Sequence, residues 1–276
     1  MTLQPMLILD QLDHVGSQWD FDGRVIQFPE EFRQGIRRAK RVWLSCAGID
    51  LDGIKASSRD EVGPQIPPFG NLWIETDAYD SRIATYITAL APSAARKVGE
   101  EYAYLAQSFV DQSTIGRPPK FLDNSLSVYA DQQGAVRKLI VRSLSGEAVG
   151  VDYGNCGALD AALPAMAAIG LMNCRNVDIE QVERPSRKLK KQRRSRPPKL
   201  DYHTITLPGS RSGTGETSGG GQDARPQHKV RGHFKTYSED APLLGKHVGT
   251  YWWGWQVRGN KKNGITVTDY KLGSIA

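Results

Sequence analysis

The chain has 276 residues, a net charge of +6 and 39% apolar residues, so it can bury a sizeable core in one or two domains. No stretch approaches the roughly 20 apolar residues of a membrane-spanning helix, and the N-terminus lacks the pattern of a secretory signal. These two observations favour a cytoplasmic protein. The three cysteines are widely separated without a CxxC pair, which argues against a disulfide framework or a zinc knuckle.

The first 183 residues predict an α+β domain. Short strands are expected at residues 6–12 and 24–28, followed by a basic amphipathic helix after Pro29. Further strands are predicted at residues 41–47 and 71–76. Helical spacing predicts two helices, at residues 81–90 and 94–110. The remaining elements are a β-hairpin of residues 121–130 and 136–143, a buried helix at 159–172 and a strand at 176–182.

A cationic linker is predicted next, at residues 184–199. Its nine basic residues are Arg184, Arg187, Lys188, Lys190, Lys191, Arg193, Arg194, Arg196 and Lys199. Without these nine, the 36 basic residues fall to 27 against 30 acidic ones, so the rest of the chain is near neutral. A block of like charges with no acid among them is typical of segments that bind polyanions. The alternative is a solvated linker.

Residues 200–276 predict a small antiparallel β module packed onto the first domain. Its four strands are expected at residues 201–207, 229–237, 249–258 and 265–272. The Gly/Ser-rich residues 208–227 lie between the first two strands and predict a long flexible loop.

The strand at residues 229–237 has a strongly basic side. Because successive side chains of a strand point to opposite faces, one side carries Lys229, Arg231, His233, Lys235 and Tyr237. Such a row makes a poor core surface and a good anion-facing one.

The aromatic strand at residues 249–258 sorts in the same way. Tyr251, Trp253 and Trp255 share one face and are expected to anchor the core. Trp252 and Arg258 share the other face, and join the basic row if the two polar faces align. Cations beside an aromatic ring are what single-stranded nucleic acid requires, because cations follow the phosphates and a ring stacks on a base. The alternative is a face exposed only to water.

A catalytic interpretation of the basic row stays open. RNA cleavage by its own 2′-hydroxyl needs a base, an acid and cations, which His233, Lys235, Arg231 and Tyr237 can supply without a metal. This set resembles in kind the Lys/Arg/Tyr sites of RelE-type toxin ribonucleases. No HxH or HExxH pattern appears, and the Gly-rich loop lacks the order of a phosphate cradle, so neither a metal nor a cofactor is expected.

Several C-terminal motifs resemble a family of phage- and prophage-encoded proteins without an assigned activity. They are residues 173–177, 230–237, 244–246, 249–253 and 257–259. The resemblance covers mainly residues 160–276 and implies a mobile-element setting. We therefore expect a nucleic-acid-associated accessory protein, with a metal-independent ribonuclease or a protein-interaction or virion-associated module as alternatives.

Overall fold

The computed structural model describes much of the chain. The described residues are 8–9, 18–21, 24–27, 30–46, 49, 51, 59–78, 81–111, 119–122, 124–143, 148–149, 157–182, 201–207, 226–258 and 260–266. Most of the described strands form one sheet with parallel and antiparallel pairs, and a few helices accompany it, which confirms the α+β class. None of the helices in these ranges is long and apolar enough to cross a membrane.

The bounds of the elements are as follows. The helices are α1 (Glu30–Arg38), α2 (Arg59–Val62), α3 (Pro92–Arg96) and α4 (Gly157–Met172). The strands are β1 (Gln18–Phe21), β2 (Arg24–Gln27), β3 (Lys40–Ser45), β4 (Asn71–Ala78), β5 (Ser81–Ala89), β6 (Tyr102–Val110), β7 (Lys120–Phe121), β8 (Ser125–Ala130), β9 (Val136–Arg142), β10 (Ala148–Val149), β11 (Asp178–Val182), β12 (Tyr202–Thr206), β13 (Pro226–Val230), β14 (His233–Tyr237), β15 (Gly249–Trp253), β16 (Gln256–Arg258) and β17 (Asn260–Thr266).

A large sheet organises the described residues. Its strand order is β10-β9-β8-β6-β5-β4-β3-β12-β11, with β7 pairing beside β6. Strands β12, β3 and β4 are mutually parallel, and the other pairs in this sheet are antiparallel. The predicted strands near residues 41–47, 71–76 and 176–182 are confirmed, as is the hairpin that joins β8 to β9.

Helix α4 covers one face of the large sheet. It is apolar around most of its circumference and is buried from Ala161 to Leu171, as expected for a helix enclosed on several sides. Leu72 and Ile74 of β4 belong to the same core cluster. The predicted buried helix is confirmed, and Pro164 is accommodated inside it.

Helix α1 packs on the opposite face of the sheet. Ile36 is buried there with Trp73 and Tyr86, and a Cβ on Gly35 would overlap the Tyr86 hydroxyl. The acidic first turn and basic last turn of α1 match the helix dipole. The predicted helix after Pro29 is therefore confirmed.

A buried carboxylate, Glu75, lies on this second face. It accepts hydrogen bonds from the backbone N–H groups of Leu9 (2.8 Å) and Ile8 (3.3 Å) and from the Trp73 indole (3.0 Å). Burial raises the pKa of Glu75 to about 7, although these donors and the charge of Arg82 act in the opposite direction. Ile8 and Leu9 have helical backbone, contrary to the strand predicted at residues 6–12.

The helices predicted at residues 81–90 and 94–110 are wrong. Residues 81–89 and 102–110 are the adjacent central strands β5 and β6, and only α3 is helical between them. Both strands are buried on both faces, so their apolar residues do not alternate with polar ones. That loss of alternation leaves an apolar spacing that imitates a helix.

The predicted four-stranded C-terminal module is also wrong in its pairing. Strand β12 lies in the large sheet, where it pairs in parallel with β3 on one side and antiparallel with β11 on the other. Strands β13, β16 and β17 form a separate sheet in which β13 and β17 are parallel, while β14 and β15 form a hairpin of their own. Residues 208–225 and 267–276 lie outside the described residues.

Candidate nucleic-acid interface

The basic segment 229–237 is two strands, not one. Strand β13 ends at Val230 and β14 begins at His233, with Arg231 and Gly232 connecting them. A Cβ on Gly232 would approach the Trp252 ring to 2.6 Å, so the chain passes close against that ring where the two strands separate. The predicted continuous row of basic side chains is therefore interrupted.

The hairpin register reverses the predicted roles of the aromatic residues. His233 lies opposite Trp253, Phe234 opposite Trp252, and Lys235 opposite Tyr251. Side chains directly opposite in an antiparallel pair share a face. Trp252 is therefore on the apolar side of the hairpin, and the prediction that it joins the basic row is wrong.

The inward side of the hairpin belongs to the main core. Phe234 and Trp252 are 2% and 4% exposed, and their ring centroids are 4.8 Å apart. The Phe234 ring lies against the backbone of Gly63, where a Cβ would come within 2.9 Å of it. Gly63 in turn contacts Gly170 of α4, so the hairpin packs on α4 through this glycine pair.

Polar contacts from the end of α4 fix the hairpin in place. The Asn176 side-chain amide donates to the Trp252 carbonyl oxygen and its oxygen accepts from the Trp252 N–H, both at 2.8 Å. The Arg175 N–H donates to the Thr250 carbonyl oxygen at 2.9 Å. Asn173 donates to the carbonyl oxygens of Ile66 and Ile169, among others. Residues 173–177 and the hairpin, separate motifs in sequence, are thus one structural unit.

The outward side of the hairpin combines cations with aromatic rings. It carries His233, Lys235, Tyr237, Tyr251 and Trp253, a set we call the hairpin face. Lys235 is exposed and the other four are half-buried. The Lys235 Nζ lies 5.1 Å from the centroid of the Tyr237 ring, and the Tyr237 and Tyr251 rings meet edge to face at 5.9 Å.

Two details of the hairpin face bear on ligand binding. The Trp253 Nε1 is shielded from solvent and has no hydrogen-bond partner among the described residues. Gly249, opposite Tyr237, has a φ of 118°, and a Cβ there would lie 3.2 Å from Cγ and Nε of the exposed Arg175. Arg175 therefore places a further cation beside the hairpin.

Tyr251, Trp253 and Arg175 are the residues of this surface that the sequence analysis missed. Tyr251 and Trp253 were expected in the core together with Trp255, whereas Tyr251, Trp253 and Trp255 are each half-buried. For Arg175 a sequence signal was available, because residues 173–177 belong to the same set of distinctive motifs as the hairpin residues.

The other predicted contact residues lie in a separate sheet or outside the described residues. Arg258 pairs with His228 and Lys229 with Val257 in the separate sheet of β13, β16 and β17. Neither is part of the β14–β15 hairpin, and their contact with nucleic acid stays a prediction. Their side chains lie outside the described residues, as do all nine basic residues of the cationic linker, which we call the basic block: Arg184, Arg187, Lys188, Lys190, Lys191, Arg193, Arg194, Arg196 and Lys199.

The residues of the ribonuclease hypothesis are only partly aligned. His233, Lys235 and Tyr237 lie on one face of β14, with about 7 Å between successive members, since each strand residue advances about 3.4 Å. Arg231 precedes the strand, and its carbonyl oxygen is 3.4 Å from the His233 Nδ1. No group of three or more potential metal ligands occurs in the part of the chain that the structure describes.

Comparison with known proteins adds no family to these observations. Neither family models, nor curated proteins, nor solved structures gave a match to this chain. The hairpin face is therefore interpreted from its own geometry.

Proposed function

We propose that the protein binds single-stranded nucleic acid through the hairpin face. The observation that carries this proposal is the cross-strand pairing of His233 with Trp253 and of Lys235 with Tyr251. The imidazole of His233 and the cation of Lys235 alternate there with aromatic rings on one partly exposed surface. Phosphates can meet the cations while bases stack on the rings, and each stacked base contributes about 1–3 kcal/mol.

Packing requirements do not account for this surface. The hairpin already buries Phe234 and Trp252 on its other side, so its attachment to α4 does not depend on the outward rings.

The basic block supplies the electrostatic part of the proposal. Nine cations between residues 184 and 199 attach to an otherwise near-neutral chain. Each phosphate that they neutralise releases counterions, which gives affinity without sequence specificity. We place this activity in a cytoplasmic accessory protein of phage or mobile-element type. Support for the compartment is that Cys46 and Cys174 are both free and buried, and support for the setting is the family resemblance.

The test uses end-labelled single-stranded RNA and DNA in EDTA, titrated across salt concentrations and then analysed on a denaturing gel. Salt-sensitive binding of an intact probe supports the proposal and ranks RNA against DNA. The informative variant is Tyr251→Ala with Trp253→Ala, which removes both rings of β15 from the face. Lys246→Ala is the control for Lys235→Ala, because both lysines are exposed in the same hairpin but only Lys235 lies on the hairpin face.

The ribonuclease alternative is favoured by the alignment of His233, Lys235 and Tyr237 on one face of β14. The same gel detects it as RNA cleavage without metal, which His233→Ala should abolish while weakening binding only modestly. An absence of both binding and cleavage would refute both nucleic-acid functions and leave the protein-interaction module.

A further inference from the structure

A second cationic surface is created by the topology of the large sheet. Strands β3, β4 and β12 are parallel, so their amino ends lie at one edge of the sheet. Helix α1 ends beside this edge, two residues before Lys40 begins β3. The loop that precedes β4 brings Phe69 to the same place.

Exposed residues of two types lie close together in the chain at this edge. Arg37, Arg38 and Lys40 are exposed cations, and the Lys40 Nζ lies 5.8 Å from the centroid of the Phe69 ring. Phe69 is 43% exposed, and it is the only aromatic among the large hydrophobic residues exposed in the described ranges. We call these four residues the amino-edge surface.

Structural roles explain part of this arrangement. Arg37 and Arg38 lie in the last turn of α1, where cations complement the helix dipole, and Arg37 is 3.8 Å from Glu30. Neither role involves Lys40 or Phe69. An exposed ring next to a cation repeats the chemistry of the hairpin face in an unrelated part of the fold.

The sheet also brings to this edge the two strands that flank the basic block of residues 184–199. Strand β11 ends at Val182, which pairs with Tyr202 at the start of β12, and β12 runs parallel to β3. The chain thus leaves and re-enters the sheet beside the amino-edge surface. The sequence between these two strands carries the nine cations of residues 184–199.

We propose that the amino-edge surface contacts the phosphate backbone of the nucleic acid held by the hairpin face, an inference that rests on the proposed function. Helix α1 packs on one face of the sheet, whereas the hairpin packs with α4 on the other. A short strand can occupy only one of the two surfaces. A long strand that passes around the sheet engages both and gains affinity by avidity.

The test compares two full-length triple variants in the same binding assay. Arg37→Gln, Arg38→Gln and Lys40→Gln neutralise the amino-edge surface, while Arg96→Gln, Lys97→Gln and Lys138→Gln remove three exposed cations elsewhere. A single-stranded probe of about 6 nucleotides lies near the lower limit of the roughly 4–16 nucleotides that single-strand-binding folds occupy, and a probe of about 40 nucleotides exceeds the upper limit. Thermal unfolding of each variant establishes that it is folded.

We expect the amino-edge variant to lower the slope of log affinity against log salt by about 2 for the long probe, since each phosphate contact contributes about 0.7. The control variant should leave the slope unchanged, and the short probe should not distinguish the two. Equal slopes for the long probe would overturn this inference while leaving the hairpin face intact. An absence of binding by the unaltered protein would overturn both proposals.

Discussion

Two adjacent tryptophans should respond to substitution in opposite ways. Trp252 is 4% exposed and packs 4.8 Å from Phe234, so Trp252→Ala should lower the free energy of unfolding by about 3–5 kcal/mol. Trp253 is half-buried on the hairpin face, and its loss should cost stability only about 1 kcal/mol. Because Asn176 holds residue 252 by its backbone, Trp253→Ala leaves the attachment of the hairpin unchanged.

Affinity for single-stranded nucleic acid should depend on Trp253 rather than on Trp252. The loss of one stacked base costs about 1–3 kcal/mol, so Trp253→Ala should weaken single-strand binding about 5- to 150-fold. Urea unfolding measures stability, and fluorescence anisotropy with labelled oligonucleotide measures affinity. Trp252→Phe, which retains a buried ring, is the matched control and should bind nearly normally. The reasoning is refuted if Trp253→Ala unfolds as easily as Trp252→Ala, or if it binds like the unaltered protein.

Three further outcomes follow from the buried contacts. The raised pKa of Glu75 means that the folded state binds a proton more tightly than the unfolded state does. The free energy of unfolding should therefore fall on the order of 3 kcal/mol as the pH rises from about 4.5 to 7. Urea titrations across pH should show that Glu75→Gln removes this dependence, and an unchanged pH profile would contradict it. Gly170→Ala should destabilise the protein in thermal unfolding, because its Cβ would overlap the Val62 carbonyl oxygen; an unchanged melting temperature would refute that contact. Asn176→Ala removes both bonds to the Trp252 backbone, which should speed proteolysis and hydrogen exchange of the hairpin; protection equal to that of the unaltered protein would argue against the clamp.

The success of the sequence analysis depended on how many faces of an element are buried. Strand β3 alternates between buried and partly exposed residues, and the turn at Gly134, with its φ of 79°, identifies the β8–β9 hairpin. Strand β5 is buried on both faces, and so is β6, where Tyr102, Leu105 and Phe109 at spacings of three and four suggested a helix. The β-branched residues of β5 were a weaker signal, and it was the correct one.

The hairpin face could be predicted only in part. Its basic half, His233, Lys235 and Tyr237, followed from strand alternation and is confirmed as one side of β14. Its aromatic half depended on which side of β15 meets Phe234. Strand register is a property of the pair, and a one-residue shift exchanges the two faces. The contact that holds Trp252 in place comes from Asn176, 76 residues earlier in the chain, and has no local sequence signal.

The position of β12 has a consequence for biosynthesis. Its partner β3 is complete at Ser45, yet residues 202–206 leave the ribosome roughly 160 residues later. Until then, the outer edge of β3 has no neighbour, and an open strand edge invites pairing with other chains. Closing such a distant parallel contact is slow, because a long loop must be ordered first. Nascent chains stalled before residue 202 should therefore be the species most dependent on chaperones and most prone to aggregate.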